Sequence, residues 1–76
     1  MQYPDGQTAH LGDRVQLWRD AEGVVVCSID TGEYSPDYPE SEWSYLSEGL
    51  LILSSEVGLI HYLAPESSFR LLSRRP

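Results

Sequence analysis

RVQLWRDAEGVVVCSI, residues 14–29, decides the fold class. Arg14-Val15-Gln16-Leu17-Trp18 alternates polar and apolar residues, the period of two that marks a half-buried strand, with Val15 and Leu17 on one face. Arg19 to Gly23 is a five-residue connection ending in glycine, suited to a hairpin. Val24 to Ile29 is a second strand, rich in β-branched residues and apolar on both faces. Two strands this close in sequence leave no room for a crossover helix, so they pair antiparallel and the chain reads as all-β.

Three further strands follow the same logic. Leu50–Leu53 is a third strand, Ser54–Gly58 a hairpin connection and Leu59–Leu63 a fourth strand. Ala64–Ser68 is a turn and Phe69–Leu72 a short fifth strand. Residues 1–7, with Pro4-Asp5-Gly6 as a turn signal, and residues 73–76 read as loosely held ends. The 76 residues form one domain, 1–76. No window has the helical period, although a short helical turn fits near residues 39–46, where Pro39 in the first turn costs no hydrogen bond and Trp43 points inward with Leu46. Val24–Ile29 and Leu50–Leu53 are apolar on both faces, which one flat sheet of this size cannot cover. Curling five strands into a small barrel makes one face the core. Packing on a second copy would cover the same surface.

Leu11-Gly12-Asp13-Arg14-Val15-Gln16-Leu17, followed by Gly23-Val24-Val25-Val26, resembles the opening hairpin of SH3-like small barrels of the KOW and Tudor-like kind. The resemblance covers about the first 30 residues and implies an SH3-like small-barrel fold; together with the strands read above, the expected architecture is a five-stranded SH3-like barrel with one long ordered loop, residues 30–49. KOW modules typically serve nucleic-acid or ribosome-associated partners and are often basic. This chain departs from that pattern, so the resemblance extends to fold alone.

Charge sets the departure. Twelve acids face five bases, all arginine, for a net charge of −7. A phosphate backbone or an anionic membrane needs cations, so neither nucleic acid nor a membrane surface is an expected partner. A basic protein is, because the acidic field would speed its encounter. The same balance also serves plain solubility in small proteins of bacterial type. Cys27, the single cysteine, cannot form an intrachain disulfide, and lies in an apolar run. A lone thiol suits a reducing compartment. With no basic–apolar leader at the start and no apolar run long enough to span a bilayer, the expectation is a cytoplasmic protein.

The segment DTGEYSPDYPESEWSYLSEG, residues 30–49, holds half of the carboxylates together with Tyr34, Tyr38, Trp43 and Tyr45, and no base. Tyrosine and tryptophan offer large rigid contact area with a polar tip. Carboxylates among them pair with arginine or lysine, and the rings offer cation–π faces. Tyr34, Asp37, Tyr38, Glu40, Glu42, Trp43 and Tyr45 are therefore the candidate partner-binding residues. Within this set Trp43 suits a cap over the barrel end, while Tyr34 and Tyr38, flanked by proline and acids, suit exposure. Pro36 and Pro39 hold the residues before them extended, which lowers the entropy lost on ordering. The segment is thus expected to be ordered, packed across the barrel as a compact loop or an extra helical turn.

Other chemistries find less support. Cys27 and His61 could pair as nucleophile and base only within hydrogen-bond reach, and no glycine-rich oxyanion loop or helix N-terminus accompanies them. His10, Asp13 and His61 lack metal-ligand spacing, and Asp30, Glu33 and Asp37 do not match a calcium loop. No catalytic residue, metal or cofactor is expected. The leading reading is a small acidic protein-binding module, in its sharpest form an immunity- or antitoxin-type inhibitor of a basic partner. The alternatives are a self-associating, dimeric accessory protein and a small-molecule or minor enzymatic role at the barrel mouth with His61, Tyr62 and Cys27.

Overall fold

The computed structural model describes residues 1–64 and 68–74. Six strands form one antiparallel sheet: β1 Arg14–Trp18, β2 Ala21–Ser28, β3 Glu33–Tyr34, β4 Leu50–Ser54, β5 Gly58–Tyr62 and β6 Arg70–Ser73. The order across the sheet is β5-β4-β2-β1-β6, with β3 paired to β2. A short helix, α1 (Glu40–Trp43), runs into a 3₁₀ turn at Ser44–Leu46. The mostly-β, antiparallel expectation holds, as does the helical turn after Pro39. Five strands become six, because Glu33–Tyr34 inside the expected loop pairs with Cys27 and Ser28. The sheet is not closed into a barrel. Among the described residues no ladder joins β5 to β6, and their ends meet through side chains, Tyr62 edge-on to Phe69 at 4.7 Å. The turn expected at Ala64–Ser68 falls mostly outside the described residues, as do the last two residues of the tail.

β1 has the expected bounds, but the hairpin after it turns on Arg19-Asp20 alone, so β2 begins at Ala21 rather than Val24. Gly23 lies within β2. Its inner side is occupied: a Cβ there would stand 2.5 Å from Ile52 Cγ2 and 3.1 Å from the Leu53 carbonyl. The glycine serves close packing in a curled sheet rather than a turn.

The inner face carries the main core of Val15, Leu17, Ala21, Val25, Leu50 and Ile52, closed by Tyr3, Ala9 and Phe69. The first residues are therefore packed, not loose. Tyr3 is 2 % exposed, and Gln2 bridges Thr8. The anchor is Asp13, a buried carboxylate that accepts the Tyr3 hydroxyl at 2.6 Å and the His10 amide at 3.0 Å. Arg74 approaches it at 3.8 Å and donates to the Thr8 carbonyl at 2.8 Å, joining the two ends of the chain. Burial, and then the bond to Asp13, push the Tyr3 hydroxyl well above its ordinary pKa.

A bulge in β2 controls the other face. Val25 pairs with Ile52 and Cys27 with Leu51, so Val26 is the extra residue. The insertion inverts the alternation, because side-chain direction has a period of two. Val25 faces the main core, whereas Cys27 turns outward with Leu51 and begins a second apolar cluster.

Candidate functional site

The segment 30–49 leaves β2, crosses the outer face and returns to β4. Both of its ends are stitched together. The Ile29 amide donates to the Gly49 carbonyl at 3.0 Å, and the Asp30 carboxylate accepts the Gly49 amide at 3.0 Å and the terminal ammonium of Met1 at 2.8 Å. Ser35 donates its hydroxyl to the Val26 carbonyl at 2.7 Å, using a backbone group that the bulge leaves unpaired by β4. His61 Nε2 lies 2.8 Å from the Glu48 carbonyl. A carbonyl only accepts, so that nitrogen carries the proton. The return at Ser47 is a tight turn with positive φ of 71°, closed by the Glu48 amide on the Leu46 carbonyl.

The aromatic residues divide according to this path. Tyr34, Tyr38, Trp43 and Leu46 are half-buried and pack on the outer cluster of Cys27, Ile29 and Leu51. Trp43 thus lies on the sheet's outer face, not over a barrel end, and Tyr34 and Tyr38 are packed rather than free. Tyr45 is 73 % exposed. The rings form a short series, with Tyr38 5.7 Å from Trp43 at 53° and Trp43 6.3 Å from Tyr45 at 25°. Both separations fall within the range of favourable ring pairs. Asp37, Glu40, Glu42 and Glu48 surround the series, exposed, and no cation among the described residues forms an ion pair with any of them.

The remaining acids of the segment hold the loop in place. Glu33 accepts the Thr31 hydroxyl at 2.7 Å, faces His10 Nδ1 at 2.9 Å and receives the Leu11 amide at 3.4 Å. The Thr31 hydroxyl, then His10 and Leu11, keep its carboxyl below the usual glutamate range. Asp30 is likewise lowered, first by the Met1 ammonium and then by Gly49. Only the wider contact set identifies these as clamp residues, since sequence shows six carboxylates of one kind.

A lowered carboxyl stabilises the folded state fully above its unfolded pKa, about 3.9 for aspartate, and loses that contribution as pH falls through the folded value. The loop clamp therefore weakens below about pH 4. Asp30→Asn, which removes the charge but keeps an acceptor for Gly49, should flatten the acid limb of a stability-versus-pH curve without abolishing it, because Glu33 titrates in the same sense. An acid limb of unchanged slope would remove Asp30 from this role.

Cys27 and His61 do not meet. Cys27 pairs with Leu51, and Leu51 with His61, so Leu51 stands between them on the same face. Two strand spacings amount to about 9–10 Å, beyond hydrogen-bond reach. The buried Cys27 thiol donates to the Tyr38 carbonyl at 3.3 Å, and burial raises its pKa, away from the thiolate a nucleophile needs. Among the described residues no three of His, Cys, Asp and Glu converge as metal ligands, and no helix is long and apolar enough to cross a membrane. No protein-family model, curated protein or solved structure matches the chain.

Proposed function

We propose that this chain is a small acidic protein-binding module whose ordered aromatic–acidic loop docks a basic protein partner, in its sharpest form as an immunity- or antitoxin-type inhibitor that covers a basic site. The observation that carries this reading is the Tyr38–Trp43–Tyr45 series: its inner rings are packed on the sheet, its outer ring is exposed, and the neighbouring Asp37, Glu40, Glu42 and Glu48 are exposed and form no ion pair among the described residues. A ring held in place before binding loses little entropy on contact, and Tyr45 offers its face to a guanidinium or ammonium group. The flanking carboxylates then pair with neighbouring cations and exclude like-charged partners. An SH3-like fold agrees with the strand order, in which the last strand returns beside the first, as a small curled barrel requires. Such a scaffold would present the loop as its recognition edge.

The roles within the loop differ. Tyr34, Tyr38 and Trp43 support the surface, and their removal damages the fold as well as binding. Tyr45, Asp37, Glu40 and Glu42 form the contact itself. The test is capture from native lysate, followed by affinity measurement with the purified basic protein recovered. Tyr45→Ala with Glu40→Gln and Glu42→Gln should weaken binding by about 100-fold or more, mostly through faster dissociation for Tyr45 and slower association for the acids. Unfolding curves should stay within about 0.5 kcal/mol of the parent, since all three residues are exposed. Unchanged affinity in the triple variant, or affinity insensitive to salt, would refute the reading.

A further inference from the structure

Away from the loop, an open groove of about 580 Å³ lies where the start of β2 meets the end of β4. Its floor is Val24 and Leu53, opposite each other across the two strands and 39 and 43 % exposed. Charged groups stand on both sides of this floor. On the β1 side, Arg14 lies opposite Val24 and donates to Glu22 at 2.5 Å. On the side of the β4–β5 hairpin stands Glu56. None of these residues belongs to the segment 30–49, so the groove is separate from the acidic loop.

Glu56 is held in place before any ligand arrives. Ser54, 2 % exposed, donates its hydroxyl to Glu56 Oε2 at 2.9 Å and accepts the Glu56 amide at 3.2 Å. The Ser55 hydroxyl donates to the same carboxylate oxygen at 3.0 Å. The two hydroxyls, Ser54 first, and then the amides of Glu56 and Glu22 keep the carboxyl below the usual glutamate range. It is therefore ionised at neutral pH, and its residue is exposed. A free surface glutamate loses rotamer entropy when a ligand fixes it; this one has already lost it on folding.

We propose that the groove binds a small organic amine in its protonated form, with the ammonium at Glu56 and the apolar body on Val24 and Leu53. Charge and shape select this class together. Arg14 and Glu22 neutralise each other, and no cation among the described residues forms an ion pair with Glu56. The lining therefore carries one uncompensated negative charge, which favours a monocation and disfavours carboxylates and phosphates. The apolar floor adjoins that charge, so a hydrocarbon body gains from burial where a hydrated inorganic ion does not. Among the described residues no three acids, histidines or cysteines converge to hold a metal. The volume falls within the roughly 300–1,000 Å³ of small-ligand sites. The groove is open, so a single small amine should bind weakly, with a Kd of about 1–10 mM.

Amide NMR titration of the full chain at neutral pH tests this, with phenethylamine as the probe and phenethyl alcohol and hydrocinnamate as neutral and anionic counterparts. Phenethylamine should give saturable shifts centred on Val24, Leu53 and Ser54–Glu56, and the two counterparts should bind at least about fivefold more weakly. Glu56→Gln keeps an acceptor for the serine hydroxyls and should weaken the amine at least about fivefold. Leu53→Gln should weaken amine and alcohol alike, by about threefold or more. Tyr45→Ala should leave these shifts unchanged, which separates the groove from the loop. Equal response to the alcohol or to hydrocinnamate overturns the proposal, as does amine affinity unaffected by Glu56→Gln. So does a response that does not saturate, or one confined to residues 37–48. Groove shifts that grow with protein concentration before amine is added would make a second copy the occupant and overturn it too.

Discussion

Gly49→Ala should remove about 3 kcal/mol or more of the stability of the fold. Gly49 sits at φ +96°, and a Cβ there would lie 2.1 Å from the Tyr62 carbonyl oxygen and 3.2 Å from His61 Nε2. Neither obstacle is the end of a flexible chain. The oxygen belongs to the β5 backbone beside the start of β4, and the imidazole is engaged with Glu48. The positive φ alone costs an alanine about 1–2 kcal/mol. Relieving the contact requires β4 and β5 to separate or the loop to abandon its return, so the total should reach about 3 kcal/mol or more. A chain of this size sits near the low end of the usual 5–15 kcal/mol, so such a loss is a large share of its stability. Gly32→Ala is the comparison. Gly32 also has positive φ, +70°, but nothing lies within 4 Å of its missing side chain, so only the conformational cost of about 1–2 kcal/mol should appear. Urea denaturation of the two variants separates the effects, and equal losses would mean that the approach to Tyr62 is not tight.

Ile52→Ala should cost about 3–4 kcal/mol. Ile52 is fully buried in the centre of the inner face, between Val25 on β2 and Ile60 on β5. Removing its branches deletes buried apolar surface and leaves a cavity, the combination that gives losses of about 2–5 kcal/mol. Gly23→Ala fails for the opposite reason: its new methyl group would overlap Ile52 Cγ2, and overpacking of this kind costs about 1–3 kcal/mol. The two substitutions address the same space. In the double variant the Gly23 methyl enters the volume that Ile52 has vacated, so the combined loss should fall short of the sum by at least about 1 kcal/mol. The Leu53 carbonyl at 3.1 Å remains, so the rescue is partial. Additivity to within about 0.3 kcal/mol would show that Gly23 tolerates a side chain by moving β2 instead.

These two sites show where local reading reaches its end. Gly23 was legible as a glycine beside a hairpin, and its proximity to Arg19-Asp20 favoured a turn. Its actual reason is Ile52, a residue 29 positions away that reaches it only because β4 pairs with β2. The strand β3 was hidden for a related reason. Glu33 and Tyr34 are too few to show alternation, and they become a strand only by pairing with Cys27 and Ser28. The first residues looked loose because Pro4-Asp5-Gly6 marks a turn, and it is the Asp13 carboxylate that draws Tyr3 into the core.

The candidate site was partly legible. Composition alone marks residues 30–49 as the acidic, aromatic part of the chain, and the prolines argue for order. Sorting its residues needed the bulge at Val26. That single insertion turns Cys27 outward and gives Tyr34, Tyr38 and Trp43 an apolar floor, leaving Tyr45 as the exposed ring. The acids divide in the same way, with Asp30 and Glu33 spent on loop contacts and Asp37, Glu40, Glu42 and Glu48 left facing solvent.

Sequence by itself determined the β character, the positions of every strand but β3 to within a few residues, the helical turn after Pro39 and the concentration of negative charge. Each of these rests on spacing or composition within a short window, where side-chain direction repeats every two residues. Tertiary structure alone decided which face each of those residues occupies, and which aromatics support the loop and which are presented. A face depends on cross-strand register, register depends on partners far along the chain, and one extra residue reverses it.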